Sequence, residues 1–493
     1  MSGGTRPHTS GASHDLTASA DHPLRAEWVQ PDVWKDRVAE SLEAGGRFAA
    51  LYAAAGAPDD GPIVRVLLHE PEALRLLSCA AGPGGVPSLV HAVPAAAWDE
   101  REARDLYGVA FAGHQPLRPL VTHPADLAAW TVPVSGHDTF QVAVGPTHAG
   151  VIESGHFRFH LVGERILHLD LQLFYKHRGL ERAAEGRTLA EGLAYAQRAC
   201  AACAIANSVA YAHACESTLG LLPRPELARA RTLLLELERL YNHLHDIGAA
   251  CAGVGFAPGA NAFAFLKERI QRLNADLAGH RFLFGTVVVG GSRLAISTAG
   301  AGAARRVLRE VGVDARRAWH EVLFNVSVQD RLADVGLLTA DLARALGTVG
   351  PAARASGLGI DARTESPRLL YGGFTPAALR HPAGDVASRV YMRALEVDAT
   401  LELLDGLLTG PLAPSVAERA AETRPIGVGT VESPRGATLA VVETDGTRVL
   451  RLHLKTASLT NWPSLARAVS GNLLPDFPLI NKSFELCYAC ADR

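Results

Sequence analysis

The chain has 493 residues, of which 48% are hydrophobic and 20% charged, enough apolar material for more than one buried core where domains usually run about 100–200 residues. Lysine and arginine total 48 against 51 acidic residues, a net charge of -3, which excludes a nucleic-acid binder built on basic excess and, with this composition, a disordered chain. The mean hydropathy of +0.09 comes from scattered Ala, Leu and Val, and no window approaches the roughly 18–20 uninterrupted apolar residues of a membrane span.

Residues 1–24 are rich in Ser, Thr, Gly, His and Asp and lack an apolar stretch, so a disordered leader is expected rather than a signal peptide. A cytoplasmic location, where thiols stay reduced, goes with that reading. Residues 25–121 read as a small α/β domain: Val38 to Ala55 has helical spacing, Pro62 to His69 looks like a strand, and Trp98 to Phe111 reads as a charged turn leading into Gly113-His-Gln-Pro116. Residues 122–136, with Pro124, Pro133 and Gly136, form the expected linker. In residues 137–493, Phe157, Phe159 and Leu161 alternate with polar positions, and after Gly163-Glu164 comes Ile166, with Leu167, Leu169 and Leu171 alternating against His168 and Asp170. From Leu189 the pattern is helical, with Leu233, Leu237, Leu240 and Leu244 on one face and Pro223, Pro258 and Gly290-Gly291 as punctuation. Alternation between Leu439 and Leu454 around Asp445-Gly446 predicts a hairpin. The fold class is therefore α+β: a small α/β amino-terminal domain, then a mainly helical domain with peripheral strands.

Of seven cysteines, four form C-x-x-C pairs: Cys200/Cys203 at the start of a helical run and Cys487/Cys490 near the end. A helix start and Arg198 favour thiolates at the first pair. Four thiolates make a soft site open to zinc, nickel or iron. A zinc ribbon normally spaces its pairs within tens of residues, but closing a longer loop costs only slightly more chain entropy, so spacing alone leaves the metal open. Glu181, after Gly179 in His177-Arg-Gly-Leu-Glu181, reads either as a buried proton carrier or as an exposed helix-start glutamate. Arg435, in the Glu432-Ser-Pro-Arg-Gly436 loop, reads as a counter-charge to thiolates or as a surface bridge between carboxylates. His243 and His245 read as helix packing, and Cys79, Cys215 and Cys251 as small core residues.

Taken in order, His177-Arg-Gly-Leu-Glu181, Arg198-x-Cys-x-x-Cys203, Glu432-Ser-Pro-Arg-Gly436 and Cys487-x-x-Cys490-x-x-Arg493 resemble the large subunit of NiFe hydrogenases, most closely the energy-converting, formate hydrogenlyase type (group 4). Trp98 to Leu120, with Arg101-Glu-Ala-Arg-Asp-Leu-Tyr-Gly-Val-Ala-Phe111, resembles the small hydrophilic (C-type) subunit of respiratory complex I, which that type fuses ahead of a D-type, hydrogenase large-subunit domain. The resemblance implies reversible H2 oxidation or proton reduction at a nickel–iron centre whose iron carries carbonyl and cyanide. Cys200 and Cys487 would be terminal nickel ligands, Cys203 and Cys490 would bridge nickel to iron, Glu181 would transfer protons, and Arg435 would sit over the open nickel position. It further implies 4Fe-4S clusters in partners rather than in this chain. The implied partners are an iron–sulfur small subunit, a ferredoxin-like subunit, antiporter-like membrane subunits and nickel-insertion maturation proteins, with no nucleic acid. The chain would then lie peripherally on the inner face of the cell membrane.

Three departures stand out: Ala201 where the family usually has Gly, Glu485-Leu486 where it usually has Asp-Pro, and a chain that closes at Arg493, so that a tail removed after nickel insertion is either not needed or was never there. Two alternatives share the resemblance: a complex I-type quinone-site subunit, which lacks the metal-binding cysteines, and a catalytically silent hydrogenase-like coupling scaffold.

Overall fold

Arg47–Ala54, Ile63–His69 and Leu74–Ala80 carry the leucines, valines and isoleucine that suit a pleated, buried surface. They pair antiparallel in chain order, and Leu24–Trp28 adds in parallel at the Leu74–Ala80 edge. This is the amino-terminal part of a computed structural model that describes residues 23–56, 61–148, 152–366 and 368–493. The expected leader lies outside the described residues as far as residue 22, but its last position, Leu24, already pairs with Leu74.

Two expectations for this part are corrected. The run from Val38 to Ala55 is not one helix: a helix spans Trp34–Glu43, and a strand follows at Arg47–Ala54. Gly45, at φ +87°, and Gly46, where a Cβ would meet the Ser41 carbonyl at 2.6 Å, make the break. The alanines beyond it are buried against a neighbouring strand, so pairing overrides their helix propensity. The charged segment after Pro94 is not a turn but the helix Ala97–Tyr107, ended by Gly108 at φ +72°. Its acids read as surface yet are buried and bonded. Asp99 takes the Leu51 amide at 2.8 Å, and Glu100 takes the Leu89 amide at 2.7 Å, the Ser88 hydroxyl and His114.

Asp105 accepts the amides of Leu120 and Val121, and Asp170 that of Val132, so residues 120–132 are tied at both ends. The expected hairpins follow. Thr139–Val144, His156–Val162 and Arg165–Gln172 form one antiparallel sheet, and Ile426–Ser433, Gly436–Thr444 and Val449–Lys455 another. The helix Ala204–Leu219 lies on the second sheet at close range, because a Cβ on Gly427 or Gly429 would come within 2.1 Å of a helix carbonyl. Behind it, Pro225–Gly253 is buried on nearly every face, with Leu233, Leu237, Leu240 and Leu244 inaccessible, and packs with Ala257–Ala278, Thr298–Leu323 and Val386–Leu407 around the main core. The architecture is α+β.

The two parts share a core as well as charges. Ala50, Tyr52, Leu67 and Leu76 pack with Leu439 and Val441. Lys455 Nζ lies 2.6 Å from Asp99, Arg65 lies 3.1 Å from Glu443, and Arg451 Nε donates to the Ala53 carbonyl at 2.9 Å.

Candidate metal centre

Gly179, at φ +63°, ends the His177-Arg178-Gly179 turn and starts the short helix Leu180–Ala184. The turn aims Arg178 between the cysteine pairs. Its guanidinium donates to the carbonyls of Arg198 at 2.9 Å and Ala199 at 2.8 Å, just before Cys200, and to that of Ala489 at 3.3 Å, between Cys487 and Cys490. Asp492 closes the same turn from the other side, accepting the amides of Phe174 at 2.8 Å and Lys176 at 2.9 Å. Segments almost three hundred residues apart are thus sewn together by backbone-directed bonds.

Within this frame the sulfurs of Cys200, Cys203, Cys487 and Cys490 all lie within 4.8 Å of one another. Cys203 and Cys487 are 3.8 Å apart, too far for a disulfide at about 2.05 Å. Sulfurs sharing one tetrahedral metal at about 2.3 Å stand about 3.8 Å apart, so the spacing fits thiolates around a metal. Cys203 is the residue just before the helix Ala204–Leu219, and Cys487 stands just before Tyr488–Asp492, its amide held by Ser458 Oγ at 3.0 Å. Cys203 and Cys490 are buried, Cys200 is 9% exposed, and Cys487 is half-buried. Ala201 points outward and is exposed.

Arg435 is neither on a surface nor on a loose loop. It sits in the two-residue turn between Ile426–Ser433 and Gly436–Thr444, and it is 4% exposed. Its guanidinium bonds Asn242, Asp246 at 3.0 Å and the Glu485 carbonyl at 2.9 Å. Burial opposes its charge, but Asp246 and the Cys487 and Cys203 sulfurs outweigh that and keep it ionised. Hydrogen bonds from the other three cysteines, with Arg435 adding its charge, hold the Cys487 thiol well below its usual range, whereas Cys203 and Cys490 are pushed up by the same sharing. Glu238 accepts the amides of Ile205 at 2.7 Å and Ala206 at 3.0 Å, and burial pushes its carboxyl up to about 8.

Glu181 occupies a different place. It accepts from Arg451 at 2.9 Å, Arg493 at 2.9 Å and the Leu454 amide at 2.8 Å. Burial would raise its carboxyl, but the Arg493 and Arg451 guanidiniums outweigh burial and hold it well below the usual carboxylate range. A second group of ligand types, Glu102, Glu181 and His453, gathers here, but two arginines fill it. A carboxylate that does touch the second cysteine pair is Glu153, whose Oε2 accepts the Ala489 amide at 2.8 Å. Sequence reasoning passed over Glu153, Arg178 and Asp246; the only signal for Arg178 was its place beside Gly179. His243 is buried and bonds Glu396 at 2.9 Å, whereas His245 is exposed and faces Glu485 at 3.4 Å. Cys79, Cys215 and Cys251 are buried and join no ligand group among the described residues.

Residues 28–135 match the family described as the respiratory-chain NADH dehydrogenase 30 Kd subunit, and residues 255–424 the 49 Kd subunit. Neither cysteine pair falls within those ranges. Formate hydrogenlyase subunit 5 of Escherichia coli K12 is 31% identical over 83% of this chain and 77% of its own length. Hydrogenase-4 component G of the same organism is 31% identical over 83% and 76%. Among solved structures, a chain of the membrane-bound sulfane sulfur reductase, an archaeal respiratory membrane complex, superposes with a TM-score of 0.66 at 25% identity over 73% of this chain and all of that one.

Proposed function

We infer the function from one premise: this chain belongs to the formate hydrogenlyase-type family of group 4 hydrogenase large subunits, with a complex I-like amino-terminal part fused ahead of a part related to the 49 Kd subunit. It is an oxidoreductase subunit, and the reading is reversible H2 oxidation and proton reduction. The observation that carries it is the convergence of Cys200, Cys203, Cys487 and Cys490, a soft donor set whose segments Arg178 ties together. By the family resemblance, Cys200 and Cys487 would be terminal ligands, and Cys203 and Cys490 would bridge to iron. Such a nickel–iron centre, with carbonyl and cyanide on iron, supplies Lewis-acid and redox chemistry for heterolysis of H2.

The chain's own residues do the rest. Arg435 brings a fixed positive charge to the thiolates while Asp246 and Asn242 hold it in place. For proton transfer we favour Glu153 over Glu181, because Glu153 Oε2 accepts the Ala489 amide between Cys487 and Cys490, while two guanidiniums hold Glu181 ionised. Electrons would leave through an iron–sulfur small subunit and a ferredoxin-like subunit, with antiporter-like subunits holding the complex at the inner face of the membrane. No helix among the described residues is long and apolar enough to cross a membrane, which fits peripheral attachment. Maturation proteins would insert the nickel.

The match of residues 255–424 favours a second reading, a quinone-type or silent coupling subunit. Metal content of the complex purified anaerobically separates the readings. Nickel with iron is expected, zinc would mean a structural cysteine site, and no metal would move the assignment to the quinone-type or coupling role.

A further inference from the structure

The charged run of the amino-terminal helix is mostly consumed within its own neighbourhood. Arg101 donates to the carbonyls of Arg118 and Pro119, Glu100 holds Ser88 and Leu89, and Asp105 holds the amides of Leu120 and Val121. Two acids reach further: Asp99 to Lys455, and Glu102 to the second cysteine segment. Glu102 is 6% exposed, and its carboxylate reaches out of that neighbourhood to Arg493. The other guanidinium nitrogen of Arg493 donates to Glu181 at 2.9 Å and to the Leu454 carbonyl at 2.7 Å. The strand carrying Leu454 is in turn pinned to the same helix through Lys455 and Asp99 at 2.6 Å.

Arg493 lies one short helical turn beyond Cys490. The Arg493 carbonyl accepts the Arg178 amide at 2.9 Å, and the Cys490 carbonyl accepts from Thr456 at 2.9 Å. Whatever fixes Arg493 therefore fixes the segment that presents Cys487 and Cys490 to the first pair. We propose that Glu102 is a positioning residue: a latch from the amino-terminal part that seats the second cysteine pair through Arg493. The fused part would then have a task at the centre itself, in addition to any contact with partners. A buried carboxylate–guanidinium pair suits this task, because losing either member leaves an unpaired charge that drives the other toward water. Water has a route, since Glu102, Arg493, Glu181 and the exposed Arg182 border one cavity of about 320 Å³.

The latch deepens the metal-centre reading, but its test uses amides and thiols and holds whichever metal binds. Hydrogen–deuterium exchange on the complex, and iodoacetamide labelling of the metal-depleted full chain, compare wild type with Glu102→Gln and Glu102→Asp. Glu102→Gln is expected to speed exchange across residues 486–493 and labelling of Cys487 and Cys490 about tenfold or more, with the sheet from Arg47 to Ala80 unchanged. Glu102→Asp, which keeps the charge, restores most of the protection. Unchanged exchange and labelling in Glu102→Gln overturn the latch, as does equal loosening of the sheet, which would show a general structural role. If Glu102→Gln does not fold, the double change Glu102→Leu with Arg493→Met, which leaves no unpaired charge, carries the test: a rise confined to residues 486–493 supports the latch, and its absence overturns it. Loss of nickel binding in the wild type, with the latch readouts intact, would count against the metal reading alone.

Discussion

Two ligand-type clusters lie among the described residues, and the difference between them shows which one calls for a metal. At the first, the sulfurs of Cys200, Cys203, Cys487 and Cys490 converge, Arg435 already has Asp246 as its partner, and Arg178 alone adds a further positive charge between the pairs. Electron-rich donors there outnumber the positive charge available to them. At the second, Glu102 and Glu181 meet Arg451 and Arg493, two acids against two bases, so the charge closes without an ion. The same search for converging ligands finds both, and only the charge count separates them.

The largest expected effect falls on the first cluster. Cys487→Ser replaces the most thiolate-like donor by a hard hydroxyl, so H2 turnover should fall to background and nickel should be lost, with an unchanged far-ultraviolet circular dichroism spectrum. Full turnover in that variant would remove the cluster from the chemistry. The second cluster should respond in a different currency. Glu181→Gln leaves two guanidiniums underpaired in a buried place, and a loss of about 3–5 kcal/mol in denaturant unfolding is expected. Glu153→Gln should do the reverse, lowering turnover about 10²-fold or more while stability and metal content hold. The opposite pattern, a stable but inactive Glu181→Gln beside an active Glu153→Gln, would return the proton role to Glu181. Lowering the pH tests the same cluster. The unfolded Glu181 carboxyl takes its proton near 4.5 and the folded one well below that, so its contribution is present above about 4.5 and drains away as pH falls through the folded value.

This division was only half legible in the sequence. The hairpin signals are local patterns, and those sheets lie where the patterns point. Placing Glu181 required knowing that Arg451 and Arg493, hundreds of residues downstream, reach the same spot, and no local pattern carries that. The amino-terminal helix was misread for a related reason. Asp99, Glu100 and Glu102 look like solvated charge in a list of letters, yet tertiary partners make them core residues. Glu153 was invisible because its one telling contact is a backbone amide of the far cysteine segment.

A smaller effect sharpens the view of the walls around the first cluster. Glu238 holds its proton up to about pH 8 when folded, whereas the unfolded chain releases it near 4.5. Between those values the folded state binds more protons, so this group makes stability fall as pH rises, by up to about 1.4 kcal/mol per unit. The difference in unfolding free energy between wild type and Glu238→Gln, followed from about pH 5 to pH 8, should show that slope; a flat difference would mean the carboxyl is already ionised beside Ile205 and Ala206.

The smallest effect concerns Ala201, the methyl that departs from the family's usual glycine. Its side chain is exposed, and its backbone is not among the left-handed positions that favour glycine. Neither space nor conformation therefore asks for a glycine between Cys200 and Cys203. Ala201→Gly should leave nickel content and H2 turnover unchanged and cost about 0.5–1 kcal/mol through added freedom of the unfolded chain. Higher turnover in the variant would mean that the methyl narrows the approach of a partner or substrate to the cluster, and the exposed face next to Cys200 would then belong to the working site.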